Sequence, residues 1–304
     1  MNIKNTQHTV LYEKNTLVNS YETQEKITWC SGCGNHAIRN ALIDALALEN
    51  LTQQDVILCY DIGCNGNEAD KITANTLHGL HGRVLPLAAG VKLAQPNTVV
   101  IAQAGDGATF SEGIGHLVHA VRSDYPLVFL LHNNHNYALT TGQPSALTPC
   151  GAKRSATDGH TPQRPLHPMQ LIMSLEPSFY ARGFSGEREQ LTELIRHGIH
   201  HHGFACVEVL QSCPTYAKEA DNSYYWERIR QIENRTHYDI NSYADALILA
   251  HEDAKNGTFH TGVLYTNTTQ KSEYLHYQST RKDLSTEPWA EVTPRDVSPL
   301  LARL

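Results

Sequence analysis

"NTVVIAQAGDGATFSEG", residues 97–113, decides how the rest of the chain is read. Its first half is a short apolar run without the polar–apolar alternation of a half-exposed strand. Such a run suits a strand covered on both faces, as in a parallel sheet. The run ends on Gly105, Asp106 and Gly107, a bare carboxylate between two residues without side chains. Ligands of open α/β sheets sit at the carboxyl ends of the strands, and Asp106 falls there.

Outward from this stretch, "DVILCYDIG" (55–63), "PLVFLLH" (126–132) and "FACVEVLQS" (204–212) read as further buried strands, with a late strand at "GVLYTN" (262–267). Helical spacing appears at Ile38, Leu42 and Leu46, in 82–96 up to Pro96, and in 111–124 with Ser111 as N-cap. It recurs in "MQLIMSLEPSFYARG" (169–183), in 188–203 and in 242–253. Strands alternating with helices predict a doubly wound, mostly parallel α/β sheet with helices on both faces. The expected division is an arm at 1–28, an α/β domain at 29–217, and a C-terminal helical extension and tail at 218–304.

The 304 residues suffice for a substantial core, and 18% charged with 40% hydrophobic residues is an ordinary soluble composition. A net charge of −7 with no basic stripe argues against nucleic acid as a partner. No apolar run approaches a membrane span, and the polar N-terminus lacks the core of a signal peptide. These features predict a cytoplasmic protein, in which seven cysteines serve as metal ligands, redox groups or core residues rather than disulfides.

A second strand end reads "LLHNNHNYALTTGQPS". Asn133 and Asn134 follow their strand as Asp106 follows its own, and the 25 intervening residues, 108 to 132, hold one crossover unit. A carboxylate, an amide oxygen and a backbone carbonyl form a hard oxygen site suited to Mg²⁺, which is held by few protein groups plus substrate phosphates. Gly105 and Gly107 leave room for a diphosphate, and the following helix directs its N-terminal N–H groups to the same place.

Cys30 and Cys33 form a CxxC in "WCSGCGN", Cys64 lies in "DIGCNGN" and Cys213 in "QSCPTY", the last two just past strand ends. Spacing alone leaves a redox pair, half a zinc site or part of an iron–sulfur site equally open. Cys59 and Cys206 sit inside apolar strands and read as core, and Cys150 is a loop thiol without a visible role.

GDG followed by NN at this separation resembles the thiamine-diphosphate motif, which implies Mg²⁺ held by Asp106, Asn134 and the carbonyl of Asn136. More broadly, "WCSGCGN", "IGCNG", "HGLHGRVLPLAAGVKLAQP", "AGDGATFSEGIGH", "NNHNYALTTGQPS" and "CPTY" occur in the order seen in β subunits of 2-oxoacid:ferredoxin oxidoreductases. The resemblance runs from about residue 27 to 217. It implies a [4Fe–4S] cluster on Cys30, Cys33, Cys64 and Cys213, and thiamine diphosphate among Gly63, Cys64, Gly105, Asp106, Gly107, Ala108, Asn134, Asn136, Ala138 and Leu139. It further implies oxidative decarboxylation of a 2-oxoacid, 2-oxoglutarate or pyruvate, to acyl-CoA and CO₂. Electrons would pass to ferredoxin, and an α subunit would contribute the glutamate that activates the cofactor.

His81, Arg83, Thr140 and Thr141 are the candidate substrate contacts; Arg83 can pair a carboxylate bidentately or brace its loop. Many members of that family have lysine where Thr141 stands and an acidic residue where Ala108 stands. The missing lysine weighs against a dicarboxylate substrate, while the loop as a whole leans towards the 2-oxoglutarate branch. Residues 197–202, rich in histidine, read as a solvated helix end. The rival readings are a non-oxidative thiamine-dependent decarboxylase subunit and a zinc-stabilised binding protein without turnover.

Overall fold

In a computed structural model that describes residues 16–154 and 160–267, eight strands form one sheet. In chain order they are β1 (Val56–Tyr60), β2 (Asn75–His78), β3 (Val99–Gly105), β4 (Val128–Asn133), β5 (Phe179–Phe184), β6 (Ala205–Leu210), β7 (Ile229–Gln231) and β8 (Phe259–Thr266). Their spatial order is β2-β1-β3-β4-β6-β5-β8-β7. All pairs are parallel except β5 with β8. The mostly parallel α/β sheet expected from the sequence is therefore present.

Side chains of the buried strands alternate between two cores, as the two-residue period of a strand requires. Cys59, Ala102, Phe129 and Leu131 face one core, closed by helices α2 (Val84–Ala94), α3 (Ile114–Ser123), α4 (Pro168–Met173) and α7 (Tyr243–Asn256). Leu58, Ile101, Val128 and Leu130 face the other, closed by α1 (Asn35–Leu48) and α5 (Arg188–His200). A seventh helix, α6 (Asn222–Arg228), packs Tyr225 against Phe184 and Leu210 beyond these cores. Cys59 and Cys206 are fully buried, as their apolar strands predict.

Three local expectations are corrected. "FYARG" is not helix: the helical pattern stops at Met173, and 179–184 are β5, a central strand between β6 and β8. Ser111 does not cap a helix, because residues 108–112 form a π-helical turn and α3 begins after Gly113. Asn75–His78, given no element from the sequence, is the edge strand β2. Residues 218–267, expected as a helical extension, supply two helices and also strands β7 and β8 of the same sheet; 268–304 and the arm before 16 lie outside the described residues. Among the described residues no helix is long and apolar enough to cross a membrane.

β5 is held in place by a buried charge network. Arg182 donates to Glu208 on β6 at 2.7 Å and to Asp253 on α7 at 2.8 Å, and all three are at least 95% buried. Tyr180 and Asn133 add hydrogen bonds to the Glu208 carboxylate. Glu208 is held below the ordinary carboxylate range mainly by Arg182, against the opposing effect of burial.

Candidate cofactor site and thiol cavity

Four adjacent strands, β1, β3, β4 and β6, end on the same side of the sheet and deliver the chemistry-bearing residues there. β1 runs into Asp61 and the Gly63–Cys64 turn, β3 into Asp106, β4 into Asn134 and Asn136, and β6 into Gln211 and Cys213. Between them lies a cavity. It is lined by all ten residues expected around the cofactor, together with His81 and Thr140. Arg83 and Thr141 do not line it. Arg83 is exposed and its guanidinium lies 2.5 Å from His116 Nε2, while Thr141 turns outward at φ +78°.

Asp106 is 1% exposed, and burial pushes its carboxyl up to about 7. The Ser145 hydroxyl donates to one of its oxygens. Asn134 Oδ1 accepts from the Asn136 backbone N–H at 3.1 Å, so the NNHN turn is braced from within, with His135 at φ +58°. Asn136 Oδ1 is buried without a partner. Asp106, Asn134 and Asn136 line the same cavity, and a carboxyl with amide and carbonyl oxygens is a hard donor set of the kind a divalent cation takes.

Gly107 is required by close approach. A Cβ there would stand 2.2 Å from Cε1 of the Tyr137 ring. The ring packs over the glycine, and its hydroxyl donates to both Glu112 carboxylate oxygens at 2.9 Å. The GDG turn is thus tied to the loop after the asparagines, which closes through Tyr137 N–H to Gln143 O at 2.9 Å.

A second cavity adjoins the first. It is lined by Cys30, Cys33, Cys64 and Cys213, and it shares Cys64, Asn134, Ala138, Leu139 and Gln211 with the cofactor cavity. Local hydrogen bonds set the thiol-bearing loops. Cys33 N–H donates to Cys30 O at 3.1 Å, and the Trp29 indole donates to Cys64 O at 2.7 Å. Gly34 N–H donates to Ser212 O at 3.3 Å, joining the CxxC loop to the segment carrying Cys213. Burial pushes the Cys64 thiol up to about 12, and the neighbouring cysteines add to the rise. Burial likewise raises Cys33. Among the described residues no three His, Cys, Asp or Glu side chains are gathered tightly enough to hold a metal ion. The four thiols surround one space without closing on it. Cys150 is exposed and lies outside both cavities, and His201 contacts the Ser178 hydroxyl, which donates to Asp124.

Sequence reasoning missed several groups. Asp61 accepts from Gly82 N–H at 2.9 Å and Val84 N–H at 3.1 Å, fixing the loop that carries His81. Its position straight after an apolar run, like that of Asp106, was the available signal. Asn35, Asn65, His132 and Gln211 also line the cofactor cavity, and nothing in their local sequence marks them. Burial lowers His132 to about 4.

Residues 61–209 match the family described as thiamine pyrophosphate enzyme, C-terminal TPP binding domain, and residues 213–281 match the C-terminal family of the pyruvate ferredoxin oxidoreductase beta chain. The chain is 35% identical over 219 residues to subunit beta of 2-oxoacid:ferredoxin oxidoreductase 2 from Aeropyrum pernix, covering 72% of this chain and 71% of that one. It is 36% identical over 213 residues to the corresponding subunit from Saccharolobus solfataricus, covering 69% and 70%. It is 32% identical over 196 residues to 2-oxoglutarate oxidoreductase subunit KorB from Mycobacterium tuberculosis, covering 64% and 52%. Among solved structures, 2-oxoglutarate:ferredoxin oxidoreductase from Magnetococcus marinus, with 2-oxoglutarate, coenzyme A and succinyl-CoA bound, superposes with a TM-score of 0.83 at 26% identity, covering 94% of this chain and 95% of that one.

Proposed function

Because the chain belongs to the family of 2-oxoacid:ferredoxin oxidoreductase β subunits, we propose that it carries a [4Fe–4S] cluster beside Mg²⁺-bound thiamine diphosphate and, with an α subunit, oxidises 2-oxoglutarate to its acyl-CoA. The observation that carries this reading is the shared wall. The cavity of the thiamine motif and the cavity of four thiols are separated only by Cys64, Asn134, Ala138, Leu139 and Gln211. A non-oxidative decarboxylase has no use for four thiols across one wall from its cofactor.

When bound, thiamine diphosphate supplies the electron sink that decarboxylation of a 2-oxoacid requires. This chain's residues then have separable tasks. Asp106, the Asn134 side chain and the Asn136 carbonyl hold Mg²⁺, with Ser145 orienting the Asp106 carboxylate. Cys30, Cys33, Cys64 and Cys213 hold the cluster; like-charged thiolates crowded together disfavour one another, and an iron centre supplies the compensating positive charge. Ala138, buried, and Leu139, 46% exposed, are the apolar members of the wall that the two sites share. With the cluster bound, electrons would pass on to ferredoxin, and coenzyme A would take the acyl group.

The substrate assignment follows the 2-oxoglutarate enzymes among the relatives and the bound 2-oxoglutarate of the Magnetococcus structure. Among the described residues the cavity lining contains no lysine or arginine, and its basic side chains are His81 and the buried His132. A desolvated distal carboxylate needs a cationic partner, so the α subunit provides it in this reading. Anaerobic co-expression with an α subunit tests the proposal. The expected product is brown, contains about four iron atoms per β chain, and reduces a viologen dye with 2-oxoglutarate and coenzyme A. A colourless, zinc-loaded complex would overturn the cluster assignment, and turnover with pyruvate but not 2-oxoglutarate would overturn the substrate.

A further inference from the structure

Gln211 follows the last residue of β6, two positions before Cys213, and lines both the cofactor cavity and the thiol cavity. It is 1% exposed. Its backbone is held from two sides: the N–H donates to Asn133 O at 2.9 Å, and the carbonyl accepts from the Tyr225 hydroxyl at 3.3 Å. Its side chain packs against the loop of the CxxC pair. Gly34 makes room for it, since a Cβ at that glycine would stand 2.6 Å from Gln211 Cγ. The amide Nε2 donates to Cys33 Sγ at 3.7 Å, and Oε1 is buried without a partner.

An amide can turn over and exchange its oxygen with its NH₂, so its orientation needs a chemical reason. His132 is the amide's other neighbour. An imidazole ring offers both a donor and an acceptor, so it can meet either end of the amide and does not choose between them. The sulfur does choose. A cysteine that binds iron does so as the thiolate, with no proton to give. An amide oxygen turned towards it would set a partial negative charge against an anion in a buried place, whereas the NH₂ makes a charge-assisted hydrogen bond. The Asn35 backbone N–H bears on the same sulfur, so Cys33 faces two donors. When a cluster takes up an electron, negative charge grows on its sulfurs. A donor to one of them therefore binds the reduced state more strongly than the oxidised one, which is how hydrogen bonds to sulfur set cluster potentials.

We propose that Gln211 donates its side-chain NH₂ to the Cys33 thiolate and thereby raises the reduction potential of the iron–sulfur cluster; this rests on the cluster assignment made above. Gln211 is a positioning residue, acting through Cys33 and not by binding iron. Because it belongs to the wall that the two cavities share, its donor lies on the side from which electrons reach the cluster.

The test uses the complex co-expressed anaerobically with an α subunit and labelled with ¹⁵N in the glutamine side-chain amide. Pulsed EPR of the reduced cluster should show a ¹⁵N coupling that is lost in Gln211→Met, a side chain of similar length without a donor. A redox titration followed by EPR should find the Met variant harder to reduce by about tenfold in equilibrium, about 59 mV for one electron, at an unchanged iron content per chain. A merely structural role predicts lost iron without a shifted potential. Gln211→Glu, of the same shape but without the labelled nitrogen, should also lose the coupling, and it decides the matter if the Met variant fails to assemble. A wild-type cluster without the coupling, a coupling that survives either substitution, or equal potentials in wild type and variant overturns the role of Gln211 alone. A wild-type complex without iron overturns the cluster assignment and this role together.

Discussion

Asp106→Asn should make the cofactor-free chain more stable and leave it unable to bind its metal. Burial raises the folded-state carboxyl from 3.8 to about 7. A group whose folded pKa exceeds its unfolded value contributes its full stability below the unfolded pKa and loses it as pH climbs through the folded one. Wild type therefore loses stability between about pH 4 and pH 7. A rise from 3.8 to about 7, at about 1.36 kcal/mol per tenfold change in proton affinity, amounts to about 4 kcal/mol at higher pH. An asparagine of the same shape still accepts from Ser145 and never ionises. Its melting temperature should match wild type near pH 4 and exceed it by about 8 °C at pH 8, taking about 2 °C per kcal/mol for a chain of this size. The assay is thermal unfolding in chelator across that range, paired with calorimetry for thiamine diphosphate in Mg²⁺. In the second assay Asp106→Asn should show no Mg²⁺-dependent binding, since a neutral amide replaces the one charged ligand. A stability gap that does not widen with pH would refute the burial argument, and retained affinity would refute the metal role.

Serine at Cys30, Cys33, Cys64 or Cys213 should lose or damage the iron centre, whereas serine at Cys59, Cys150 or Cys206 should spare it; iron content per chain sorts the seven variants. Arg182→Met leaves Glu208 and Asp253 buried without their cation and should cost about 3–5 kcal/mol, read as a lowered unfolding midpoint in denaturant. Thr141→Lys should leave the kcat/KM ratio of 2-oxoglutarate to pyruvate unchanged, because Thr141 lies outside the cavity lining; a raised ratio would mean that the loop reorganises around substrate.

The parts of this molecule legible in the sequence are those whose signal is local. The apolar runs before Asp106, Asn133 and Gln211 announce buried strands, and the residues after them announce the site. β5 escaped notice because its sequence carries Arg182 in a strand buried on both faces. That arginine is admissible only because Glu208 and Asp253, far away in the chain, neutralise it. β2 escaped because an edge strand half open to solvent needs no apolar run. Ser111 looked like a helix cap because a π turn leaves no mark in hydrophobic spacing. Asn35, Asn65, His132 and Gln211 are ordinary polar residues far apart in the chain, and only the fold brings them to one cavity. The absence of lysine at Thr141 proved uninformative about the cavity, since exposure there is set by the left-handed turn of the loop.

The antiparallel seat of β8 against β5 also orders events in time. β5 is complete once residue 184 has been made, but the strand that covers its outer edge begins only at residue 259. A nascent chain emerging from the ribosome therefore carries β5 with an open, hydrogen-bond-hungry flank, and with Arg182 still lacking Asp253, through the synthesis of α5, β6, α6 and α7. Unpaired strand edges are where chains stick to one another. Slowing translation after residue 216, or truncating between there and 259, should thus leave a species that aggregates although both of its ligand cavities are already encoded. For this fold, solubility on expression is decided by its last described strand.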